Sequence, residues 1–325
     1  MSARLRLFTE RETMSTTTDT GWTTADLRLV PGRRRSDARM RRLFLAAGLT
    51  TLLVTALIVY TLVKDAVSFF IHVPKADLWT IGWFPRRGMF DIKTLVVGTL
   101  MVTGVAMLIA VPLGLGVAVY LSEFARPRVR KVLKPVVEVL AGIPSVVLGY
   151  FAISFINPNI ITAISGGANK AFNIAAAGVA VGILTIPIIA SVTEDALRAV
   201  PLALREASYG LGARRVSTTF RVVLPASISG VVAALILGIS RAIGETMVVA
   251  IAAGAVGGGL FSTDPFQPGQ TMTAAMAALG FGSDQVAGDG LAFQSLFFIG
   301  FLLFIMTFCL NLLGDRLVRR VREEY

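Results

Sequence analysis

The stretch from Glu194 to Gly254 reads EDALRAVPLALREASYGLGARRVSTTFRVVLPASISGVVAALILGISRAIGETMVVAIAAG. Its first half is a charged segment between two apolar runs. Its second half is an apolar run that contains Arg241 and Glu245. Charged side chains inside a membrane span are rare, and they usually serve a function. This loop and this charged helix constrain what the rest of the chain can form.

The composition is that of a membrane protein. Of 325 residues, 54% are hydrophobic and only 16% are charged, whereas a soluble domain has about 25% charged residues. The apolar residues are clustered in runs of about 20, the length that an α-helix needs to cross ~30 Å of hydrocarbon. The sequence therefore predicts an all-α membrane protein.

The apolar runs predict six transmembrane helices. Their expected bounds are 43–63, 94–121, 135–156, 174–192, 224–252 and 295–313. Residues 1–42 are polar and arginine-rich without apolar periodicity, so we expect a disordered N-terminal tail. Residues 314–325 form a C-terminal tail, and residues 271–281 are a short helical candidate outside the spans.

Two further details concern the third span and the segment that follows the first span. Gly142, Pro144 and Gly149 make the third span a poor plain helix but a good surface for close packing. The long segment after the first span is rich in aromatic residues. Its Trp79, Trp83 and Phe84 are expected at a membrane interface.

The distribution of basic residues predicts the topology. Residues 1–42 carry ten Lys and Arg, 122–134 five, 193–223 five and 314–325 four, whereas the opposite side of the membrane carries six. Positive charge accumulates on the cytoplasmic side, so both termini and the loop after Glu194 are expected in the cytoplasm. The net charge of +11 thus fits a protein in a lipid membrane, and we expect no nucleic-acid partner.

The charged loop predicts a short helix. Pro201 suits the first turn of a helix, and Gly210 and Gly212 suit its end. Residues spaced by three and four fall on one face; they are Leu202, Arg205, Glu206 and Tyr209. Such a helix can dock into a groove on a partner, although a solvated connector is the simpler alternative.

The same loop carries a gapped motif. Glu206-Ala207-Ser208 is followed by Gly212 and then by Val222-Val223-Leu224-Pro225. This pattern resembles the loop signature of ABC importer permeases, from which Ser208 and Val222 are mild departures. The resemblance implies docking on a cytoplasmic ATPase. It implies that the coupling residues are Pro201, Arg205, Glu206, Ala207, Gly212, Leu224 and Pro225.

The charged helix predicts an ion pair. Arg241 and Glu245 are four residues apart and share a helix face, so they can pair. Along a continuous helix, Arg241 would lie ~24 Å beyond Pro225. An arginine fork suits an oxyanion, and Thr246 adds a hydroxyl donor. The pair either lines a substrate pathway, together with Thr246, or only fixes the packing.

Three further motifs narrow the resemblance. They are Arg241-Ala-Ile-Gly-Glu-Thr-Met247, Ala110-Val-Pro-Leu-Gly114 with Tyr120-Leu-Ser-Glu123, and Glu138-Val-Leu-Ala-Gly-Ile-Pro-Ser-Val-Val147. From about Phe84 to Leu313, the chain resembles the permeases of phosphate ABC importers, more the PstC type than the PstA type. These are members of the binding-protein-dependent transport system inner-membrane component family.

The resemblance implies a type I ABC importer permease fold (MetI-like) in the bacterial inner membrane. It also implies the partners: a PstA-type sister permease, two copies of a PstB-type cytoplasmic ATPase, and a PstS-type extracytoplasmic phosphate-binding protein. The binding protein is expected to dock on residues 69–91 and 254–294. With its sister, the chain would form the phosphate pathway.

Other functions are less consistent with the residues. The chain has no GxxxxGK[ST] phosphate loop, so ATP hydrolysis must come from another subunit, and we expect no catalytic residue and no cofactor. A single histidine, His72, excludes a histidine-based metal cluster. A permease for sulfate, molybdate or an amino acid remains an alternative.

A membrane enzyme would need catalytic groups such as Glu123 and Glu138. For these two, local pairing with Arg126, Lys131 or Lys134 is the simpler expectation.

Overall fold

The computed structural model describes residues 31–79, 82–254, 258–281 and 290–321. These residues are mostly helical, with one short antiparallel hairpin formed by β1 (Trp83–Phe84) and β2 (Met89–Phe90). The long helices are α1 (Pro31–His72), α2 (Ile92–Val119), α3 (Pro127–Ala141), α6 (Ile174–Ala199), α10 (Ile228–Ile243) and α13 (Leu291–Val321). The short helices are α4 (Ser145–Phe151), α5 (Thr162–Ser165), α7 (Leu202–Gly210), α8 (Arg215–Thr218), α9 (Leu224–Ala226), α11 (Met247–Ala252) and α12 (Met272–Gly280).

Wider turns extend several of these helices. Segments of π-helix follow α2, α4 and α8, at Tyr120–Phe124, Ala152–Ile161 and Thr219–Val223. Turns of 3₁₀-helix occur at Lys75–Trp79 and Pro85–Arg87. Within the described residues, five helical stretches are long and apolar enough to cross a membrane. They are Arg39–His72, Ile92–Phe124, Ser145–Ser165, Ile174–Ala199 and Leu291–Arg320. A sixth span results if Arg215–Ala226 and Ile228–Ile243, bent by 72°, cross together.

The first unit of the fold ends at Tyr60, inside α1. Its apolar side chains are exposed along the helix, among them Leu43, Leu52 and Leu53. The helix begins at Pro31, where proline is favourable because its missing N–H has no partner in the first turn. The prediction of a disordered tail over residues 1–42 is therefore wrong for residues 31–42. Residues 1–30 lie outside the described residues.

The second unit, from Thr61 onward, is built around α6. Buried alanines and glycines run along this helix, which packs against α2, α10, α11 and α3. A Cβ at Gly178 would lie 2.6 Å from Val105, and one at Gly182 would lie 2.9 Å from the carbonyl oxygen of Ala106. Small residues thus let α2 and α6 approach closely, as is usual between membrane helices.

A second core is aromatic and lies beside the hairpin. Phe69 packs edge-on against Phe90 with ring centroids 5.0 Å apart, and Trp83 packs edge-on against Phe90 at 5.8 Å. Trp83 is buried, so its predicted place at a membrane interface is wrong, whereas Trp79 is exposed. The strand pair explains the difference, because β1 pairs with β2 and places the Trp83 ring edge-on to Phe90, in the buried cluster that also contains Phe69 and Met272.

The third predicted span, 135–156, is divided in the structure. Its first residues belong to α3, which ends at Ala141, and a new helix begins at Ser145. Pro144 has no N–H to donate and interrupts the helix. The candidate span runs instead from Ser145 to Ser165. Gly149 is a close-packing site as predicted, because its Cβ would lie 3.1 Å from Ile251.

The fifth predicted span, 224–252, is also interrupted. One break falls at Ser227, where the chain bends by 72° between α9 and α10. The other comprises Gly244, Glu245 and Thr246, between α10 and α11. Arg241 is therefore not at the end of a straight path from Pro225, as the continuous helix predicted. The short helix predicted at 271–281 is confirmed as α12, with Thr271 at its N-cap.

A leucine at position 178 tests the contact between α2 and α6. Gly178→Leu should lower the apparent melting temperature of the purified protein, because overpacking a tight contact costs about 1–3 kcal/mol. Gly104→Leu is the matched control, since a Cβ at Gly104 meets nothing within 4 Å. Equal melting temperatures for the two variants would contradict this packing.

Candidate functional site

The candidate site is the break between α10 and α11. The helix α10 ends at Ile243, and Gly244, Glu245 and Thr246 connect it to α11. Arg241 Nη1 lies 2.8 Å from Glu245 Oε2, which confirms the ion pair predicted from their spacing. The pair therefore joins the last turn of one helix to the connecting segment before the next.

The two members of the pair have different surroundings. The side chain of Glu245 is 4% exposed, whereas that of Arg241 is 41% exposed. Burial of a carboxylate is costly unless it is paired, so the Arg241 guanidinium stabilises the buried charge of Glu245. Within the described residues, Arg241 makes no other hydrogen bond or ion pair. Its remaining donors are thus open to an anion, and guanidinium favours bidentate recognition of oxyanions.

Thr246, the third predicted pathway residue, stands beside the pair. Its hydroxyl donates to the carbonyl oxygen of Gly244 at 3.3 Å, which is a long and weak hydrogen bond. The Thr246 residue is half-buried. Its hydroxyl is therefore only weakly held. It can rotate toward another acceptor at little cost. The structure thus brings Arg241, Glu245 and Thr246 together at one helix break.

A buried threonine on α12 holds the backbone of this break. The hydroxyl of Thr273 donates to the carbonyl oxygen of Glu245 at 2.7 Å. Because α10 ends before Glu245, this oxygen is not part of a regular helical ladder. A buried carbonyl without a partner costs about 1–3 kcal/mol. The hydrogen bond from Thr273 therefore stabilises the broken conformation.

The same short helix is attached to α2. The hydroxyl of Thr99 accepts a hydrogen bond from the backbone N–H of Met272 at 3.1 Å and donates to the carbonyl oxygen of Leu95 at 2.7 Å. A Cβ at Gly98 would lie 2.3 Å from the carbonyl oxygen of Gln270. The chain before α12 therefore passes directly over α2, and α12 bridges α2 and the Glu245 break.

The second predicted site, the loop helix, is α7. Pro201 is its N-cap, and Gly212 follows it with φ +79°, a left-handed conformation that favours glycine. Leu202, Arg205 and Tyr209 line one cavity of about 280 Å³, which confirms their shared face. Glu206 and Ala207 are exposed and do not line it. Leu224 and Pro225 begin α9, where Leu224 packs against a buried cluster that includes Leu197 and Val223.

Arg205 fastens this loop helix to the helical bundle. Its Nη1 donates to the carbonyl oxygen of Val200 at 2.6 Å, and its Nη2 donates to that of Leu197 at 2.7 Å. Nη2 also lies 3.1 Å from the buried carboxylate of Glu123. The prediction that Glu123 pairs locally with Arg126, Lys131 or Lys134 is therefore wrong. Glu123 does not pair with its sequence neighbours because it is buried in the π-helical turn Tyr120–Phe124, where its carboxylate meets Arg205 of α7.

A second buried carboxylate joins α3 to the end of α6. Glu194 is 1% exposed and pairs with Arg130 at 2.5 Å and with Lys134 at 3.2 Å. Burial disfavours the charged amine of Lys134, but Glu194 and Asp195 outweigh this effect and raise its pKa above the usual value. Lys134 therefore remains charged at neutral pH. Glu138 lines a cavity beside these residues and has no ion pair within the described chain.

The sequence did not reveal every residue at these sites. Thr99, Thr273 and Glu194 were missed, although a hydroxyl in an apolar run and an acid at the end of a predicted span are signals of buried hydrogen bonding. Within the described ranges, no group of three His, Cys, Asp or Glu side chains is placed to hold a metal ion.

Long apolar helices, a charged pair at a helix break and a short helix on a basic loop define a multi-pass membrane transport subunit. Residues 110–323 match the family described as "Binding-protein-dependent transport system inner membrane component". The chain therefore belongs to this family, whose members are transport permeases and not enzymes. The family predicted from the loop motif is confirmed.

A curated relative has similar length. The chain is 31% identical over 317 residues to the "Phosphate transport system permease protein PstC" of Mesorhizobium japonicum, with 89% of this chain and 95% of the relative covered. This likeness extends upstream of the region that the family match covers.

Solved structures confirm the fold. A bacterial alginate ABC transporter, in complex with an alginate pentasaccharide-bound periplasmic protein, matches with a TM-score of 0.61 at 16% identity, over 89% of this chain and 98% of its own. The inward-facing MetNI methionine ABC transporter matches with a TM-score of 0.52 at 21% identity, over 71% and 94%. The fold is that of a type I ABC importer permease (MetI-like), as predicted.

Removal of the Thr273 hydroxyl tests the connection between α12 and the break. Thr273→Val leaves the buried carbonyl oxygen of Glu245 without its donor, and we expect a loss of about 1–3 kcal/mol in stability, measured by thermal unfolding. Thr273→Ser keeps the hydroxyl and should retain most of that stability. If valine and serine are equivalent, the hydrogen bond does not hold the break.

Proposed function

We propose that this chain is the PstC-type permease subunit of an ATP-driven phosphate importer. Together with a sister permease it forms the phosphate pathway, and it couples that pathway to a cytoplasmic ATPase. The observation that carries the proposal is the Arg241–Glu245 pair, in which a half-exposed guanidinium is held by a buried carboxylate at a helix break. The name of the Mesorhizobium relative supports phosphate as the substrate.

The proposed mechanism at the pair is an exchange of partners. Phosphate approaches the exposed side of Arg241 and accepts hydrogen bonds from the donors that Glu245 leaves open. Thr246 can add one hydroxyl donor. Glu245 stays bound to the guanidinium and competes with the anion for it, so phosphate is held weakly enough to leave. The buried negative charge of Glu245 thus favours release of phosphate over tight binding.

The proposed topology places both termini in the cytoplasm of a bacterial cell. The support is the excess of Lys and Arg in residues 1–42, 122–134, 193–223 and 314–325. In this orientation, α7 faces the compartment that contains ATP. The Arg241–Glu245 pair, at the far end of α10, then lies closer to the outer side of the membrane than α7 does.

The proposed coupling element is α7, with Pro201, Arg205, Glu206, Ala207 and Gly212. Its exposed Glu206 and Ala207 are free to contact a PstB-type ATPase, of which the complex has two copies. Its inner face is fixed to Glu123 and to the end of α6 by Arg205. A movement of α7 would therefore be transmitted to α2 and α6, and through Leu224 and Pro225 to α10.

The remaining proposed partners are a PstA-type permease and a PstS-type phosphate-binding protein. The binding protein docks outside the cell on residues 69–91 and 254–294, of which 80–81, 255–257 and 282–289 lie outside the described residues. The docking region includes α12, whose Thr273 binds the Glu245 carbonyl. Binding of the phosphate-loaded protein to α12 would thus act on the segment around Glu245 through this hydrogen bond.

Substitution of Arg241 tests the pathway. Arg241→Ala should lower phosphate uptake about tenfold to hundredfold, since hydrogen bonds to charged groups contribute about 1.5–3 kcal/mol. Arg241→Lys keeps the charge but loses the fork, and its uptake should be intermediate. The double variant Arg241→Ala/Glu245→Gln removes the unpaired buried charge and serves as the folding control. If phosphate uptake and ATPase coupling are both intact in Arg241→Ala, the Arg241–Glu245 pair has only a structural role.

Substitution of Arg205 tests the coupling. In Arg205→Gln, α7 loses its link to Glu123, so we expect ATP hydrolysis to continue while phosphate transported per ATP falls several-fold. Arg221→Gln is the matched control, because Arg221 is exposed and makes no ion pair or hydrogen bond within the described residues. An unchanged ratio of transport to hydrolysis in Arg205→Gln would refute this role.

A further inference from the structure

The helix α3 has an apolar face that the described residues leave uncovered. None of its residues is buried, and Val132, Val136 and Val139 are exposed by 64%, 53% and 71%. Charged residues occupy the opposite face, where Arg130 and Lys134 bind Glu194. The helix is thus attached to the bundle through ion pairs, and its apolar side faces outward. This pattern is typical of helices that lie in a membrane interface.

A cationic cavity opens beside the charged face of α3. It has a volume of about 630 Å³, and Arg130, Lys131, Lys134 and Arg198 line it together with Glu138. Glu194 neutralises part of this charge through Arg130 and Lys134. Within the described chain, Lys131 and Arg198 have no ion pair. The cavity therefore has two cations available for an anionic ligand.

An apolar groove adjoins this cavity. It has a volume of about 380 Å³ and lies between the end of α2 and α3, with Leu113, Val117, Leu133 and Val137 among its lining residues. No charged residue lines it, and Leu121 borders both the groove and the cationic cavity. An open groove of this kind suits a hydrocarbon chain. A ligand that fills both spaces must have an anionic head and an apolar tail.

We propose that an anionic phospholipid of the cytoplasmic leaflet binds between α2 and α3, with its headgroup phosphate at Lys131 and Arg198 and an acyl chain in the groove. The proposal rests on the orientation given under the proposed function, because that orientation places α3 at the inner surface of the membrane. Charge complementarity favours an anionic over a zwitterionic lipid. Free phosphate would use only the cationic cavity and would leave the groove without a role.

Two variants test the two halves of the site. Lys131→Gln/Arg198→Gln removes the available cations but keeps the ion pairs of Glu194. Gly116→Leu fills the groove, which Gly116 lines and where a Cβ would meet nothing within 4 Å. The matched controls are Arg128→Gln/Arg221→Gln, which removes two cations outside the cavity, and Gly104→Leu, which makes the same change elsewhere on α2.

Binding is measured by native mass spectrometry of the purified complex, titrated with phosphatidylglycerol or phosphatidylcholine. The wild-type complex should bind at least one phosphatidylglycerol more tightly than phosphatidylcholine. Lys131→Gln/Arg198→Gln should weaken that binding about tenfold or more, because it removes two positive charges that attract the anionic headgroup. Gly116→Leu should weaken it by a similar factor, because the leucine side chain occupies the groove that would hold the acyl chain. The controls should remain within about twofold of the wild type.

Three results would overturn the proposal. The first is wild-type affinity for phosphatidylglycerol in both site variants. The second is displacement of the bound anion by millimolar inorganic phosphate with no effect of Gly116→Leu, which would identify free phosphate as the occupant. The third is a complex without bound lipid in which the Gly116→Cys variant cross-links to the sister permease. The assay does not depend on the transported substrate, so a failure of the phosphate assignment would leave its outcome interpretable.

Discussion

An ion pair at the break between two apolar helices sets the constraint on which this structure depends. Glu245 is buried and Arg241 is its partner, and removing one partner of a buried ion pair is strongly destabilising. The helix ends at Ile243, so the Glu245 carbonyl needs another donor, and Thr273 supplies it. The short helix α12 must therefore lie against the break, and Thr99 and the close approach at Gly98 fix it on α2.

Buried acids play a comparable part at the loop end of the molecule. Glu123 and Glu194 are both buried, and both are paired with arginines from distant parts of the sequence, Arg205 and Arg130. These pairs fasten α7 and α3 to the bundle at places where apolar packing is sparse. An ion pair can be remade in another geometry more readily than an interdigitated core. This property would suit the proposed movement of α7 with an ATPase, during which the tight contact between α2 and α6 would be preserved.

The sequence predicted what depends on local pattern. Run length identified the membrane class, the four-residue spacing predicted the Arg241–Glu245 pair, and Pro201 and Gly212 marked the two ends of the loop helix. It failed where tertiary contacts decide. Glu123 had basic neighbours in sequence but pairs with Arg205, and Trp83 looked like an interfacial residue but is buried by the hairpin. Pro144 and Gly244 are residue types that interrupt helices, and both can be read from the sequence. How far the helix direction changes at each break depends on tertiary packing, which a single sequence does not show.

The function proposed for this chain is the movement of phosphate through an ATP-driven assembly. It is tested most directly by uptake of radiolabelled phosphate into proteoliposomes that contain the purified complex, with internal and external ATP and the binding protein varied separately. We expect uptake only when ATP is on the side of α7 and the loaded binding protein is on the other side, with no competition from sulfate or molybdate. Uptake without ATP, or equal competition by sulfate, would contradict it.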